Sequence, residues 1–160
     1  MDKLIGALDR QFAQLHRESL ELIEGTSPEQ LYYRPVNNLN SFPVHSGGEQ
    51  ILRSAAAVEQ TFGGITANLW DDPFEWTLPE SLSTQEKIIE YLGEVETTRK
   101  RGFESFRSAE DLMKSIMSPS GETQLLPLLL DTLVRAAHYL GSARATLELL
   151  RTEATLTTDR

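Results

Sequence analysis

Arg135 and Tyr139 are the two residues whose types and spacing most directly raise a chemical question in this sequence. They lie four residues apart in the largely apolar segment 125–142, and residues four apart share one face of a helix. Two histidines at that spacing can hold one divalent metal ion. An arginine cannot, because its guanidinium stays protonated and has no lone pair to offer. The segment is therefore similar to a metal-binding helix whose ligands have been replaced.

The three histidines of the chain, His16, His45 and His138, do not form a recognisable metal-binding pattern. A zinc site needs three or four strong ligands that converge on the ion, and none of these histidines has a partner at a suitable spacing. We therefore interpret them as surface or capping residues and expect no metal cofactor. A zinc or nickel (Zn or Ni) site that combines His45 or His138 with acidic residues is the alternative.

The charge balance argues against nucleic acid and membrane surfaces as partners. The chain has 24 acidic and 15 basic residues, a formal net charge of -9, and its densest basic run is Arg99-Lys100-Arg101. Phosphate backbones and anionic lipids repel such a chain. The longest nearly apolar stretch, 125–130, is far shorter than the roughly twenty residues of a membrane span. We expect neither nucleic acid nor a membrane as a partner.

Several kinds of chemistry have no basis in the sequence. There is no cysteine, which excludes disulfides and a cysteine nucleophile and fits a reducing cytoplasm, the expected location. The acidic N-terminal segment does not have the pattern of a signal peptide. The sequence contains no G-x-S-x-G motif, no phosphate-binding glycine loop and no E-x-x-H pair of the diiron bundles. No catalytic residue is assigned, and whether the protein is an enzyme stays open.

Four long segments have helical periodicity, which predicts an all-α four-helix bundle with short accessory helices. Serine-led capping boxes at Ser27, Ser46 and Ser83 predict three helix starts. At 160 residues the chain is expected to be one domain, 1–152, followed by a fraying tail, 153–160. The predicted helices cover about 3–24, 46–70, 83–106 and 124–152, with a short helix from Ser108 to Met117, a turn at 118–121 and no strand. In the last helix we expect the inward residues to be Leu126, Leu130, Leu133, Ala137, Leu140, Ala143 and Leu147.

The order of these features resembles the DinB/YfiT-like superfamily of helical bundles. The resemblance is carried by Ser27-Pro28-Glu29-Gln30-Leu31 ahead of Arg34-Pro35, by Ala57-Val58-Glu59 in a serine-led helix, and by Gly141 in the final helix. It covers nearly the whole chain. In that superfamily a histidine on the second long helix and an H-x-x-x-H motif on the last helix bind a divalent metal. Some members are thiol-dependent transferases or isomerases, and paired helix faces commonly form homodimers.

The resemblance places non-ligand residues where the superfamily has its three histidines. Those positions correspond to Ser54, five residues before Glu59, and to Arg135 and Tyr139. If the bundle closes as the resemblance implies, these three side chains line one cavity. Arg135 is then either buried in an ion pair with Glu59 or Asp131, or holds an anionic ligand with Ser54 and Tyr139 as hydrogen-bond donors.

We therefore expect a DinB-like bundle with a degenerate metal site that binds a small polar or anionic molecule or a protein partner. The expected ligand-binding residues are Ser54, Glu59, Arg135 and Tyr139, and a homodimer is the expected assembly. The alternative function is a divergent metal-dependent thiol transferase or hydrolase of the same superfamily.

Overall fold

The computed structural model describes residues 2–35, 45–73 and 80–158. The sequence also predicts a polar loop at 37–41 and a connector packed by Phe74 and Trp76, and both lie outside these residues. Within the described residues, no helix is long and apolar enough to cross a membrane.

The described residues form five α-helices, a 3₁₀ turn and two short strands. The helices are α1 (Lys3–Glu24), α2 (Pro28–Leu31), α3 (Gly47–Ala67), α4 (Gln85–Glu104) and α5 (Leu125–Thr158). The 3₁₀ turn is at Asp111–Met113, and the strands are β1 (Ser115–Ser118) and β2 (Gly121–Gln124).

Side-chain caps determine where the helices begin. The Ser46 hydroxyl accepts a hydrogen bond from the Glu49 amide, and the Glu49 carboxylate accepts one from the Ser46 amide, so the predicted capping box at the start of α3 is confirmed. Ser27 caps α2 as expected. The start of α4 was predicted one residue early, because Thr84 rather than Ser83 is the N-cap.

The four long helices close a ring in the order α1, α4, α3, α5, with α3 against both α4 and α5. Their shared core contains Phe12, Phe62 and Phe103, whose ring centroids lie 5.2–5.7 Å apart. Gly102 lets α4 approach α3 closely, because a Cβ atom there would lie 2.4 Å from the Phe62 ring. This four-helix arrangement confirms the predicted all-α bundle.

The first half of the last helix buries a different stripe from the predicted one, whereas Leu140, Ala143 and Leu147 in its second half are buried as predicted. Leu130 is 44% exposed and Ala137 is exposed, whereas their neighbours Leu129 and Ala136 are fully buried. Leucines are continuous through 128–130, so apolar spacing alone does not distinguish the two registers. The helix also continues to Thr158 instead of ending near residue 152.

Two more local predictions were wrong. The expected helix from Ser108 to Met117 is instead the 3₁₀ turn followed by an antiparallel hairpin, in which Ser115 pairs with Gln124 and Ser118 with Gly121. The predicted turn lies at the tip of this hairpin, but four-residue strands are too short to give clear alternation. At the end of α3, left-handed Asn68 ends the helix at Ala67 rather than near residue 70 as predicted, and Leu69 beyond it is 60% exposed.

Candidate binding groove between α3, α5 and the hairpin

Ser54 lies inside the bundle. It is 2% exposed, and its hydroxyl donates a hydrogen bond of 2.9 Å to the backbone oxygen of Ala136 on α5. It also lines a void of about 20 Å³ that it shares with His16 and Arg99. Such a void is large enough for about one water molecule, so it cannot hold an organic ligand.

Arg135 lies outside the bundle, contrary to the expectation that it shares a cavity with Ser54. It is exposed, because the buried stripe of α5 passes through Thr132 and Ala136 and turns residue 135 outward. Among the described residues, Arg135 has no ion-pair partner, so the expected buried pair with Glu59 or Asp131 is not formed. Both readings of a cavity shared with Ser54 are therefore wrong: the buried ion pair is not formed, and Ser54, which donates to Ala136 inside the bundle, does not lie beside Arg135 as a donor to an anion.

Glu59 belongs to a different part of the surface, between α3 and α4. Its carboxylate accepts a hydrogen bond of 2.5 Å from the Tyr91 hydroxyl. Burial and, next, the charge of Glu59 raise the pKa of Tyr91, so the phenol stays protonated and continues to donate. Glu59 has a structural partner and does not line the hollow that contains Arg135.

Arg135 and Tyr139 do come together, in a hollow of about 90 Å³ between α3 and α5. The third side chain that joins them is Arg53, the neighbour of Ser54: its guanidinium carbon lies 6.0 Å from the centroid of the Tyr139 ring. This distance is at the outer limit of a cation–π contact. The hollow is also lined by Gln60 and Asp72. We define the α3–α5 hollow by these five residues.

The hollow opens into a wider space of about 510 Å³ towards the hairpin. Gln60 and Arg135 line both parts, and the amide of Gln60 donates a hydrogen bond of 3.0 Å to the Trp70 backbone oxygen. The combined groove reaches the volume of a small-molecule site. The other residues that line the wide part are Trp70, Ser118, Pro119, Ser120, Leu128, Asp131 and Thr132.

Sequence reasoning missed Arg53 by one position. The resemblance placed the helix-two site residue about five residues before an acidic residue, which selects Ser54 by counting from Glu59. The helical rotation between adjacent residues is about 100°, so an error of one residue moves the side chain from the groove into the core. The available signal was chemical: for binding an anion together with Arg135, a second arginine next to Ser54 is a better candidate than a hydroxyl.

The donor set at the groove does not suit a metal ion. Arg53 and Arg135 are cationic and cannot ligate, which leaves one carboxylate, Asp72, with the weak ligands Gln60 and Tyr139 beside two positive charges. Among residues 2–35, 45–73 and 80–158, no three His, Cys, Asp or Glu side chains cluster so as to hold a metal. His138 is exposed and lies edge-on to Tyr139, with ring centroids 6.2 Å apart, and His45 precedes α3. The alternative zinc or nickel site with these histidines stays a prediction.

Among the residues whose burial the structure describes, the buried arginine is Arg99, on α4. It is 2% exposed and donates to Glu96 at 2.7 and 2.8 Å and to Asp9 on α1. Burial disfavours the charged guanidinium, but the hydrogen bonds to the two carboxylates outweigh it and raise the pKa of Arg99. The side chain also lies 5.5 Å from the Phe103 ring centroid. Arg99 therefore joins α1 to α4 and leaves no donor aimed at a ligand.

The fold corresponds to that of a solved bundle protein. The crystal structure at 1.70 Å of a candidate member of the DinB family from Exiguobacterium sibiricum 255-15 superimposes with a TM-score of 0.65. The match covers 94% of this chain and 93% of that chain, at 21% sequence identity. Neither a protein-family profile nor a curated protein matches this sequence. The chain therefore has the DinB-like fold, as its sequence features predicted.

Proposed function

We propose that this protein binds a small anionic molecule, with its carboxylate or other oxyanion seated in the α3–α5 hollow. The observation that carries the proposal is the meeting of two arginines from different helices, Arg53 and Arg135, beside the phenol of Tyr139. Among the described residues that line the hollow, Asp72 is the one carboxylate. Two guanidiniums beside one acid favour an additional negative charge.

The geometry of these groups suits an oxyanion. A guanidinium presents its N–H donors in a planar fork that matches the two oxygens of a carboxylate. The Tyr139 hydroxyl has no hydrogen-bond partner among the described residues and can add a third donor. Because the chain as a whole carries a net charge of -9, an anion is attracted by these local donors rather than by the overall field.

A comparison of charged and neutral ligands tests the proposal. We expect hexanoate to bind in calorimetric titration at low salt and the isosteric neutral hexanamide to bind at least tenfold more weakly. Arg135→Ala is expected to abolish hexanoate binding, whereas Arg107→Ala removes an exposed arginine outside the groove and should leave the affinity unchanged. Equal binding of acid and amide, or equal losses in the two variants, would contradict the proposal.

Metal content separates this function from a metal-dependent one. We expect less than a tenth of an equivalent of zinc or nickel after incubation with either ion and removal of the excess. A stoichiometric ion that is lost in a His45→Ala or His138→Ala variant would instead support the metal-dependent alternative.

We also propose that the protein is a homodimer that pairs through α5. The support is an exposed stripe of apolar and small residues at helical spacing, Leu130, Val134, Ala137 and Gly141. Val134 is 69% exposed in this stripe.

Sedimentation velocity tests this assembly: the wild-type protein should be a dimer, and Val134→Glu should be a monomer. The control Leu149→Glu places the same charge at an exposed position outside the stripe and should remain dimeric. A wild-type monomer at micromolar concentration would contradict this assembly.

A further inference from the structure

We infer that the ligand is a zwitterion, a small carboxylate with an ammonium group separated from it by about one helical turn. This inference rests on the proposed function, since it uses the same hollow for the carboxylate. The new element is Asp131, which lines the wide part of the groove one helical turn before Arg135 and adds a negative charge there.

Asp131 and Arg135 are one turn apart on the same face of α5, and both line the wide part of the groove. One turn of α-helix rises about 5.4 Å. An acidic residue four positions before a basic one is a favourable arrangement for an ion pair on a helix surface. Yet among the described residues neither side chain is in an ion pair. The two opposite charges are therefore both available to one ligand that lies along the helix.

Trp70 provides a second reason to place a cation near Asp131. Its ring packs directly on α3, because a Cβ atom at Gly64 would lie 2.3 Å from it, and its indole N–H donates to the Asn68 side chain at 3.1 Å. The same residue lines the wide part of the groove together with Asp131. Aromatic rings attract ammonium groups, and the attraction adds to that of a nearby carboxylate. The end of the groove near the hairpin is therefore suited to a positive charge.

The spacing of the two ends restricts the ligand. In glycine a single carbon separates the carboxylate from the ammonium, which is a shorter spacing than the rise of about 5.4 Å between positions 131 and 135 along the helix. In 6-aminohexanoate a five-carbon chain separates them, and Leu128 and Pro119 offer apolar contacts to such a chain. The volume of about 510 Å³ accommodates a molecule of this size. The ligand class is thus an ω-amino carboxylate or a short peptide of similar length.

Calorimetric titration of matched ligands tests this inference. We expect 6-aminohexanoate to bind about fivefold more tightly than hexanoate, which is the effect of an additional partly exposed charge pair. Asp131→Asn should remove this preference and leave hexanoate binding intact. The control Glu122→Gln makes the same chemical change at an exposed position of β2 and should keep the preference.

The outcomes distinguish the two proposals. If hexanoate binds and depends on Arg135, but the amino group adds nothing in the wild-type protein, the zwitterion is wrong and the anion site stands. The zwitterion is also wrong if the preference persists in Asp131→Asn. If neither ligand binds, the anion site itself is wrong, and the zwitterion is overturned with it.

Discussion

Two arginine sites of this protein, one in the interior and one in the groove, show how surroundings decide the role of the same side chain. Arg99 is buried and bonded to two carboxylates, Asp9 and Glu96. Arg135 is exposed, and among the described residues it has no acidic partner, although Asp131 lies one turn away. A buried guanidinium needs carboxylates to compensate for its lost hydration, whereas an exposed one stays hydrated and is available to bind a ligand. The interior arginine is structural, and the groove arginine is the candidate for binding.

The largest expected effect comes from removal of the interior arginine. Arg99→Ala leaves Glu96 and Asp9 without their shared partner, and we expect a loss of about 3–5 kcal/mol in the free energy of unfolding. Urea denaturation measures it. Lys100→Ala is the matched control, because Lys100 contacts the same Glu96 at 3.5 Å from an exposed position and should cost less than about 1 kcal/mol. Equal losses in the two variants would remove the distinction between buried and exposed pairs.

A smaller effect is expected from crowding the interior next to Arg99. Gly102→Ala places a methyl group 2.4 Å from the Phe62 ring, and we expect a loss of about 1–3 kcal/mol because the core cannot give way freely. Gly93→Ala on the same helix meets nothing within 4 Å and should stabilise by about 0.5–1 kcal/mol. Denaturation of both variants tests this, and a stabilising Gly102→Ala would mean that α3 and α4 pack more loosely than described.

The interior cluster should also respond to acid. Burial alone would raise the pKa of Glu96, but the hydrogen bonds and charge of Arg99 outweigh it, and the pKa is lowered from 4.5. A lowered folded-state pKa contributes stability above pH 4.5 that is lost as the pH falls through the folded value. Between pH 6 and pH 3 we expect the free energy of unfolding of Glu96→Gln to fall by about 1 kcal/mol less than that of the wild type. Identical acid dependence in the two proteins would show that Glu96 has no role in it.

The smallest expected effect on stability is at the groove. Arg135→Ala should change the free energy of unfolding by less than about 0.5 kcal/mol, because the side chain is exposed and outside the ion pairs of the described residues. Denaturation of this variant beside Arg99→Ala completes the comparison. A loss near that of Arg99→Ala would make Arg135 a structural residue and would undermine the binding proposal.

The parts of the fold that could be predicted are those governed by local chemistry. Ser46 and Glu49 form the predicted cap because their partners are three residues apart in sequence. The pairing of Glu49 with Arg34 could not be predicted, because the two residues are 15 positions apart in the sequence and only the tertiary structure brings them together. Burial raises the pKa of Glu49, but the hydrogen bonds from Arg34 and Ser46 lower it by more. The carboxylate that caps α3 therefore also binds Arg34, which follows α2.

The candidate site was predicted in part. The sequence alone identified Arg135 and Tyr139 as neighbours on one helix face, because a spacing of four residues defines a face without tertiary information. It did not determine whether that face points inward, since the surrounding leucines are compatible with either register of α5. It also could not determine which of Arg53 and Ser54 faces the groove, because this depends on how α3 is rotated against its neighbours.

Taken by itself, then, the order of residues determined the four long helices, the caps at Ser27 and Ser46 and the bundle class, because periodicity and capping depend on residues within one or two turns. Only the tertiary structure decided that Arg99 is buried, that Arg53 rather than Ser54 meets Tyr139, and that the tip of the hairpin lines the groove. These features depend on helix rotation and on contacts between distant segments. Packing of the whole core sets them, and no local pattern in the chain encodes them.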